Sequence, residues 1–251
     1  GRVMLETQGL SLHVDGRDVL KDVSLHVNAG EIVGIAGVSG NGQSELISCI
    51  TGLMASSGGK VLVGGQDVTG KSVLEIRKAG LAHIPEDRYA VGSATDATLE
   101  ENALMGRQDE MPFSHRGFVR HGAVRAYAEK LIVDFGVKAS SAIQKMSELS
   151  GGNAQKLIVA REMSMNTPVL ICCEPTRGID VGAMEAIHDR LVQRRCEGAA
   201  ILLVSSELTE IMSLSDRIYV IFDGRINGEF KRDSMDDKHL GLLMVGGAVK
   251  E

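Results

Sequence analysis

Glu31-Ile32-Val33-Gly34-Ile35-Ala36 runs straight into Gly37-Val38-Ser39-Gly40-Asn41-Gly42-Gln43-Ser44, and this junction decides the fold. Its first part is a short apolar run closed by glycine, the pattern of a buried central strand. From Gln43 to Thr51 the sequence reads as a helix. A strand that feeds a helix through a Gly-rich turn has the phosphate-loop spacing G-x-x-x-x-G-K-[ST], with Gln43 standing where Lys belongs. Glycines let backbone N–H groups converge on phosphate oxygens, and a helix N-terminus adds partial positive charge. Taken alone, the stretch fits a ligand-free strand-to-helix turn equally well.

Outward from this junction, strands and helices alternate. Leu10 to Val14 and Val19 to Val27 alternate apolar and polar residues, as half-buried antiparallel strands do. Lys60 to Val63 and Leu81 to Ile84 are further strands, the latter stopped by Pro85. Thr98 to Met105 and Ala123 to Phe135 are helical in pattern, the second with Val124, Tyr127, Ala128, Leu131 and Ile132 on one face. Between them Gly106 to Gly122 reads as an irregular loop. Gly152 to Met163 is helical, Val169 to Cys173 a buried strand, and Val181 to Arg195 a helix with Met184, Ile187 and Leu191 inward. An apolar strand at Ala200 to Val204 and a short helix around Leu208 to Met212 follow. Arg217 to Phe222 and Arg225 to Phe230 read as a hairpin around Asp223-Gly224, and one short amphipathic helix lies beyond Lys231. Such alternation predicts a mostly parallel sheet covered by helices.

Composition narrows the class. The chain has 251 residues, 43% hydrophobic and 24% charged, with a net charge of −6. That balance disfavours a protein that coats nucleic acid, and aromatic residues at 3% leave little for base stacking. No stretch approaches the roughly 20 apolar residues of a membrane span, and the first residues lack the apolar core of a signal peptide. Cys49, Cys172, Cys173 and Cys196 form no CxxC pair, so they read as buried reduced thiols rather than a zinc site.

Leu149-Ser150-Gly151-Gly152-Asn153 adds a second anion-binding helix start, since Ser and Gly suit an N-terminus that receives a ligand. With this pentapeptide the chain resembles the ATP-binding subunits of ABC transporters. LSGGN is similar to their signature motif, Val169 to Thr176 (VLICCEPT) to their Walker B strand, and Arg177-Gly178-Ile179-Asp180 to their D-loop. The resemblance runs from about Leu5 to Phe230. GNGQSEL, IPEDR at Ile84 to Arg88, LSGGNAQK, PTRGIDVGA and LSDRI resemble the second nucleotide-binding domain of fused double-domain importers for simple sugars and purine nucleosides. Ile187-His188, Arg190-Leu191 and EIMSLSDRI look closest to the nucleoside branch.

The resemblance implies an α/β P-loop NTPase fold of ABC type, with a mostly parallel core sheet, an antiparallel β subdomain and an inserted helical subdomain. It divides a single domain, 1–251, into an ATP-binding core (1–88 and 157–230), a helical subdomain bearing the signature (89–156) and a C-terminal tail (231–251). ATP and Mg²⁺ are the implied ligands. Gly37, Val38, Ser39, Gly40, Asn41, Gly42, Gln43, Ser44 and Glu45 would meet nucleotide, Ser44 and Glu86 would hold the metal weakly, and Glu174 stands at the general base.

Several positions depart from the family pattern. Gln43 carries no charge for the phosphates. Cys173 replaces the Walker B Asp, and a thiol suits a hard cation poorly. Glu86 stands at the Q-loop Gln and Ser206 at the switch His. No Phe, Tyr or Trp occurs in the first 30 residues to stack on adenine, and His13 is the flat ring nearby.

Because family members pair head to tail, the intact Ser150, Gly151, Gly152 and Asn153 are expected to complete a partner's ATP site, coupled through Asp180. The implied partners are an N-terminal ATP-binding domain on the same polypeptide, transmembrane permease subunits and, indirectly, a solute-binding protein, at the cytoplasmic face of a bacterial membrane. Nucleic acid is not among them. Two readings of other classes stand beside this one. One is a pseudo-ATPase that binds no nucleotide and serves as a regulatory or dimerisation module. The other is a soluble ABC-type ATPase acting on nucleic acid or ribosomes, against which the acidic charge and PTRGIDVGA argue.

Overall fold

The computed structural model describes residues 1–232 and 237–247. The stretches 233–236 and 248–251 of the C-terminal tail, 231–251, lie outside the described residues. The chain forms two compact units. The first comprises residues 1–83, 167–174 and 190–251; the second comprises 84–166 and 175–189.

In the first unit, β1 (Val3–Val14) and β2 (Arg17–Asn28) form a long antiparallel pair. After β3 (Ile32–Ala36) and α1 (Gln43–Thr51), β4 (Gly58–Val63) and β5 (Gln66–Asp67) complete a four-stranded sheet ordered β2-β1-β4-β5. β1 begins seven residues earlier than its alternation first suggests, at Val3 instead of Leu10. Leu5 explains the extension: it is fully buried and pairs with Val27 on one side and Val63 on the other.

α2 (Val73–Lys78) follows, then β6 (Leu81–Ile84). The helix was not expected from apolar periodicity, because only Ile76 is buried. Its signal is a capping box: Ser72 accepts from the Glu75 amide while the Glu75 carboxylate accepts from the Ser72 amide.

The larger sheet also takes β9 (Val169–Cys173), β10 (Ala200–Val204), β11 (Arg217–Phe222) and β12 (Arg225–Lys231), in the order β12-β11-β3-β10-β9-β6. β3 is parallel to β10 and β11, and β10 to β9; β12 pairs antiparallel with β11. β3 and β9 are buried at every residue, which is why they read as continuous apolar runs. Leu46 and Ile50 of α1 are fully buried in the same core, each contributing about 1.5–3 kcal/mol by leaving water. Two short helices, α7 (Leu208–Leu214) and α8 (Asp237–Met244), cover a further cluster around Ile211, Ile218 and Leu240.

A buried cation fastens the edge of this unit. Arg217, 6% exposed, places Nε and Nη2 on the Glu31 carboxylate at 2.8 and 3.1 Å. Its remaining donors reach Glu229, the Tyr219 hydroxyl and the His26 carbonyl. Burial works against the Glu31 carboxylate, but the Arg217 and Asn28 hydrogen bonds outweigh it and hold its pKa below the usual value.

The second unit is built on α3 (Leu99–Leu104), α4 (His121–Asp134) and α5 (Gly151–Ser164), with a 3₁₀ turn at Met146–Glu148. Thr98 and Glu101 make a second capping box at the start of α3. Val124, Ala128 and Leu131 are the buried stripe of α4. The stretch 106–122, expected to be irregular, contains a small hairpin of β7 (Ser114–His115) and β8 (Phe118–Val119). Phe113 anchors it, 3% exposed and packed with Leu104 and Val124.

α5 is buried all round from Ala154 to Met163. Two of its buried charges satisfy each other: Arg161 donates to Glu162 at 2.8 Å and to the carbonyls of Asn102 and Gly92. The whole helix belongs to the second unit, whereas the sequence reading ends the helical subdomain at 156, inside α5. α6 (Val181–Cys196) buries Ile187 and Leu191. Among the cysteines Cys49, Cys172 and Cys173 are buried, but Cys196, at the end of α6, is exposed.

Candidate functional site

In the first unit, strand register brings the candidate groups to one edge. Ile35 pairs with Val204, and Val204 with Cys173. The C-terminal ends of three parallel strands therefore deliver the Gly37–Gly42 loop, Ser205-Ser206 and Glu174 side by side, the edge where open α/β sheets bind ligands.

The loop enters α1 through Gly42, whose φ of 105° is closed to residues with a side chain. α1 has no side-chain cap, so its first turn faces the loop as an anion cradle would. Asn41 sets the loop's path. It donates to the Val38 carbonyl, and its own carbonyl groups accept from the Asp223 and Gly224 amides of the β11–β12 turn. Gln43 turns back on the loop, with Nε2 donating to the same Val38 carbonyl at 3.2 Å. Ser39, Ser44 and Glu45 lie in the loop and the first turn of α1.

Two of the candidate positions are tied to each other. The Glu174 carboxylate accepts from the Ser206 amide at 2.6 Å and from the Ser206 hydroxyl at 3.1 Å. Glu174 itself sits at φ 50°, a left-handed backbone for a residue with a side chain. The Cys173 thiol lies 3.8 Å from His83 Nε2, on neighbouring β6. His13 is on β1, where Nδ1 meets the Asp18 carboxylate at 2.7 Å; that hydrogen bond lowers the Asp18 pKa.

In the second unit, Ser150 caps α5 by position but makes no side-chain bond to its backbone. Instead the Ser150 hydroxyl oxygen accepts from Asn153 Nδ2 at 2.8 Å, and Asn153 in turn accepts from the Lys138 amide. This leaves the hydroxyl proton of Ser150 to donate outward. Gly152 is required by a close approach, since a Cβ there would sit 2.7 Å from the Gly178 carbonyl oxygen. Asp180 accepts from the Ala183 amide at 2.9 Å and from Lys156 Nζ at 2.8 Å. The Lys156 hydrogen bond, followed by the Ala183 amide, lowers the Asp180 pKa. Glu86 is exposed and belongs to this unit.

The family profile of ABC transporters matches residues 20–177, more than half of the chain. The chain belongs to the ABC transporter family. It is 42% identical over 250 residues to a nucleoside import ATP-binding protein of Lactococcus lactis, covering 99% of this chain and 49% of that protein. It is also 42% identical over 252 residues to a guanosine import ATP-binding protein of Bacillus subtilis, covering 100% and 49%. A ribose import ATP-binding protein of Rubrobacter xylanophilus is 37% identical over 98% of this chain and 48% of its own length. The chain thus spans about half the length of the curated relatives it matches.

Solved structures give the same fold. An ATP-binding subunit of an ABC transporter superposes with a TM-score of 0.79 at 24% identity, covering 96% of this chain and 99% of that one. An ATP-binding cassette in its ADP conformation gives 0.77 at 23%, covering 98% and 100%. The ABC cassette fold, with its mixed sheet and antiparallel subdomain, is the one the sequence implied.

Within this ABC cassette, the uncapped α1 and its Gly-rich loop fit the phosphates of a nucleotide. The metal position fits magnesium poorly. Its strand-end residue is a thiol packed against an imidazole, a soft pair for a hard cation. No cluster of three or more His, Cys, Asp or Glu suited to a metal occurs among the described residues.

Sequence reasoning passed over His83, Arg88 and Lys156. The last two lie inside motifs it quoted, IPEDR and LSGGNAQK, but their partners are distant in sequence. No described helix is long and apolar enough to cross a membrane.

Proposed function

We propose that this chain is the second ATP-binding domain of a fused double-domain importer, with a degenerate nucleotide site of its own and a working signature half. The reading rests above all on the hold that Ser206 has on Glu174. Both carboxylate oxygens already accept a hydrogen bond from Ser206, so a water at the general-base position would have to share the group's remaining lone pairs with that fixed geometry. Loss of the Lys charge at Gln43 and of a hard ligand at Cys173 act in the same direction. Nucleotide is then held by the backbone amides of the loop and of α1, weakly or without turnover.

The signature half meets the opposite condition. Ser150 offers a hydroxyl proton beside an uncapped helix N-terminus, suited to the terminal phosphate of ATP held by a partner domain. The partner is the N-terminal domain of the same polypeptide, consistent with a chain half the length of its relatives. Permease subunits are the coupled machinery, a solute-binding protein acts through them, and the domain works at the cytoplasmic face of the membrane. The transported solute is a nucleoside or simple sugar, with nucleoside favoured by the two relatives at 42% identity.

Calorimetric titration of the chain with ATP, with and without Mg²⁺, tests the cis site. Weak binding that Mg²⁺ changes by less than about twofold is expected. Strong Mg²⁺ dependence would overturn the degenerate-site reading. No binding at millimolar ATP would leave a pseudo-ATPase whose nucleotide contact is entirely through the signature.

A further inference from the structure

Arg88 stands where three segments of the second unit meet. It lies four residues after Ile84, the end of β6. Its Nη1 donates to the Gly151 carbonyl at 2.8 Å and to the Arg177 carbonyl at 3.3 Å. The guanidinium also packs along both glycine-rich turns: Cβ atoms built on Gly151 and Gly178 would each lie 3.4 Å from its nitrogens. Its own backbone is fixed in turn. The Arg88 carbonyl accepts from the Ser93 hydroxyl at 2.7 Å, and the preceding Asp87 accepts from the Tyr89 and Ala90 amides.

The signature turn and the D-loop carry little else to fix their spacing. Glycine occupies 151, 152 and 178, so neither turn has a side chain of its own there to meet the other. The Gly152–Gly178 approach is a close contact rather than a bond. Gln155, through the Pro175 carbonyl, and Lys156, through Asp180, also tie the two segments, but about one turn further along α5. Arg88 is the group that bonds to both glycine turns at once. Two charge-assisted bonds to carbonyls from one nitrogen fix the distance between the two turns.

Resting on the in-trans reading above, we infer that Arg88 is a positioning residue: it bonds the signature turn and the D-loop into one unit, so that Ser150 and Asp180 meet the partner's nucleotide in fixed register. Arg88 need not touch the nucleotide. Its effect is on the geometry reached in the transition state, where small displacements of aligned groups are costly.

The test compares Arg88→Met and Arg88→Lys with Ser150→Arg. In the intact protein that carries this chain, Arg88→Met lowers kcat for ATP hydrolysis about tenfold while KM for ATP changes less than about twofold. Arg88→Lys, whose ammonium can still donate to both carbonyls, recovers most of kcat. In the isolated chain, Arg88→Met raises hydrogen exchange across 150–153 and 177–180 without shifting the melting temperature of the first unit. Unchanged exchange overturns the inference whatever hydrolysis does. Normal kcat in Arg88→Met beside a dead Ser150→Arg overturns it while sparing the in-trans reading. Normal hydrolysis in Ser150→Arg sinks that reading, and the exchange result then decides whether Arg88 joins the two turns.

Discussion

At the edge of the parallel sheet, functional side chains bond to one another or to the loop itself. Gln43 turns back on the Val38 carbonyl, Glu174 is gripped by Ser206, and Cys173 rests on His83. Around the signature helix, the side chains bond mainly to turns and helix ends. Arg88 takes two carbonyls, Asp180 takes an amide and Lys156, and Asn153 donates to the Ser150 hydroxyl oxygen. Polar groups that satisfy each other lower the reward for a ligand that must displace them. Polar groups that fix a backbone leave its outward face prepared for one. The two regions share a fold and a family, but their side chains are committed differently: in the first mostly to each other and to the loop, in the second mostly to backbone turns.

The sharpest break of this contrast pairs Gly152→Val with Gln43→Ala in the intact protein. A side chain at 152 collides with the Gly178 carbonyl oxygen. Hydrolysis should fall by about a hundredfold or more, whereas Gln43→Ala should stay within about twofold. Steady-state ATPase assays check both, and equal losses would erase the difference between the halves.

A smaller effect comes from repair. Restoring charge and a hard ligand with Gln43→Lys and Cys173→Asp should tighten ATP binding by about tenfold and make it respond to Mg²⁺. Calorimetry reads this directly. An unchanged affinity would mean that the loop's fold, rather than those two groups, limits the site.

The smallest effect is set by pH. The Asp180 pKa lies below the ordinary value of 3.8 in the folded chain, so its tie to Lys156 is complete above that value. The tie is lost as pH falls through the lowered pKa. NMR titration of the Asp180 carboxyl should show a midpoint below 3.8, moved up towards it by Lys156→Met.

Much of the fold was legible because its elements announce themselves locally. β3 and β9 are unbroken apolar runs, the β11–β12 turn is Asp223-Gly224, and the phosphate-loop and signature glycines sit at strand or helix ends. α2 was missed because it buries one residue and is held by its caps, and β7–β8 because a two-residue ladder leaves no periodicity. The site was legible as a set of positions but not as a set of contacts. Ser206 and Glu174 are 32 residues apart, and Cys173 and His83 are 90 apart. Their meeting depends on strand register, which side-chain identity alone does not state. Arg88 was quoted within a motif, but its carbonyl partners are backbone groups that any residue could supply.

α5 has a mechanical consequence. Fourteen residues long and enclosed on every side from Ala154 to Met163, it is a strut about 21 Å in length. A strut gripped along its whole surface can neither spin nor slide, because every such movement would open voids in a close-packed interior. The enclosed stretch from Ala154 to Met163 is thus a rigid support behind the turn at Gly151.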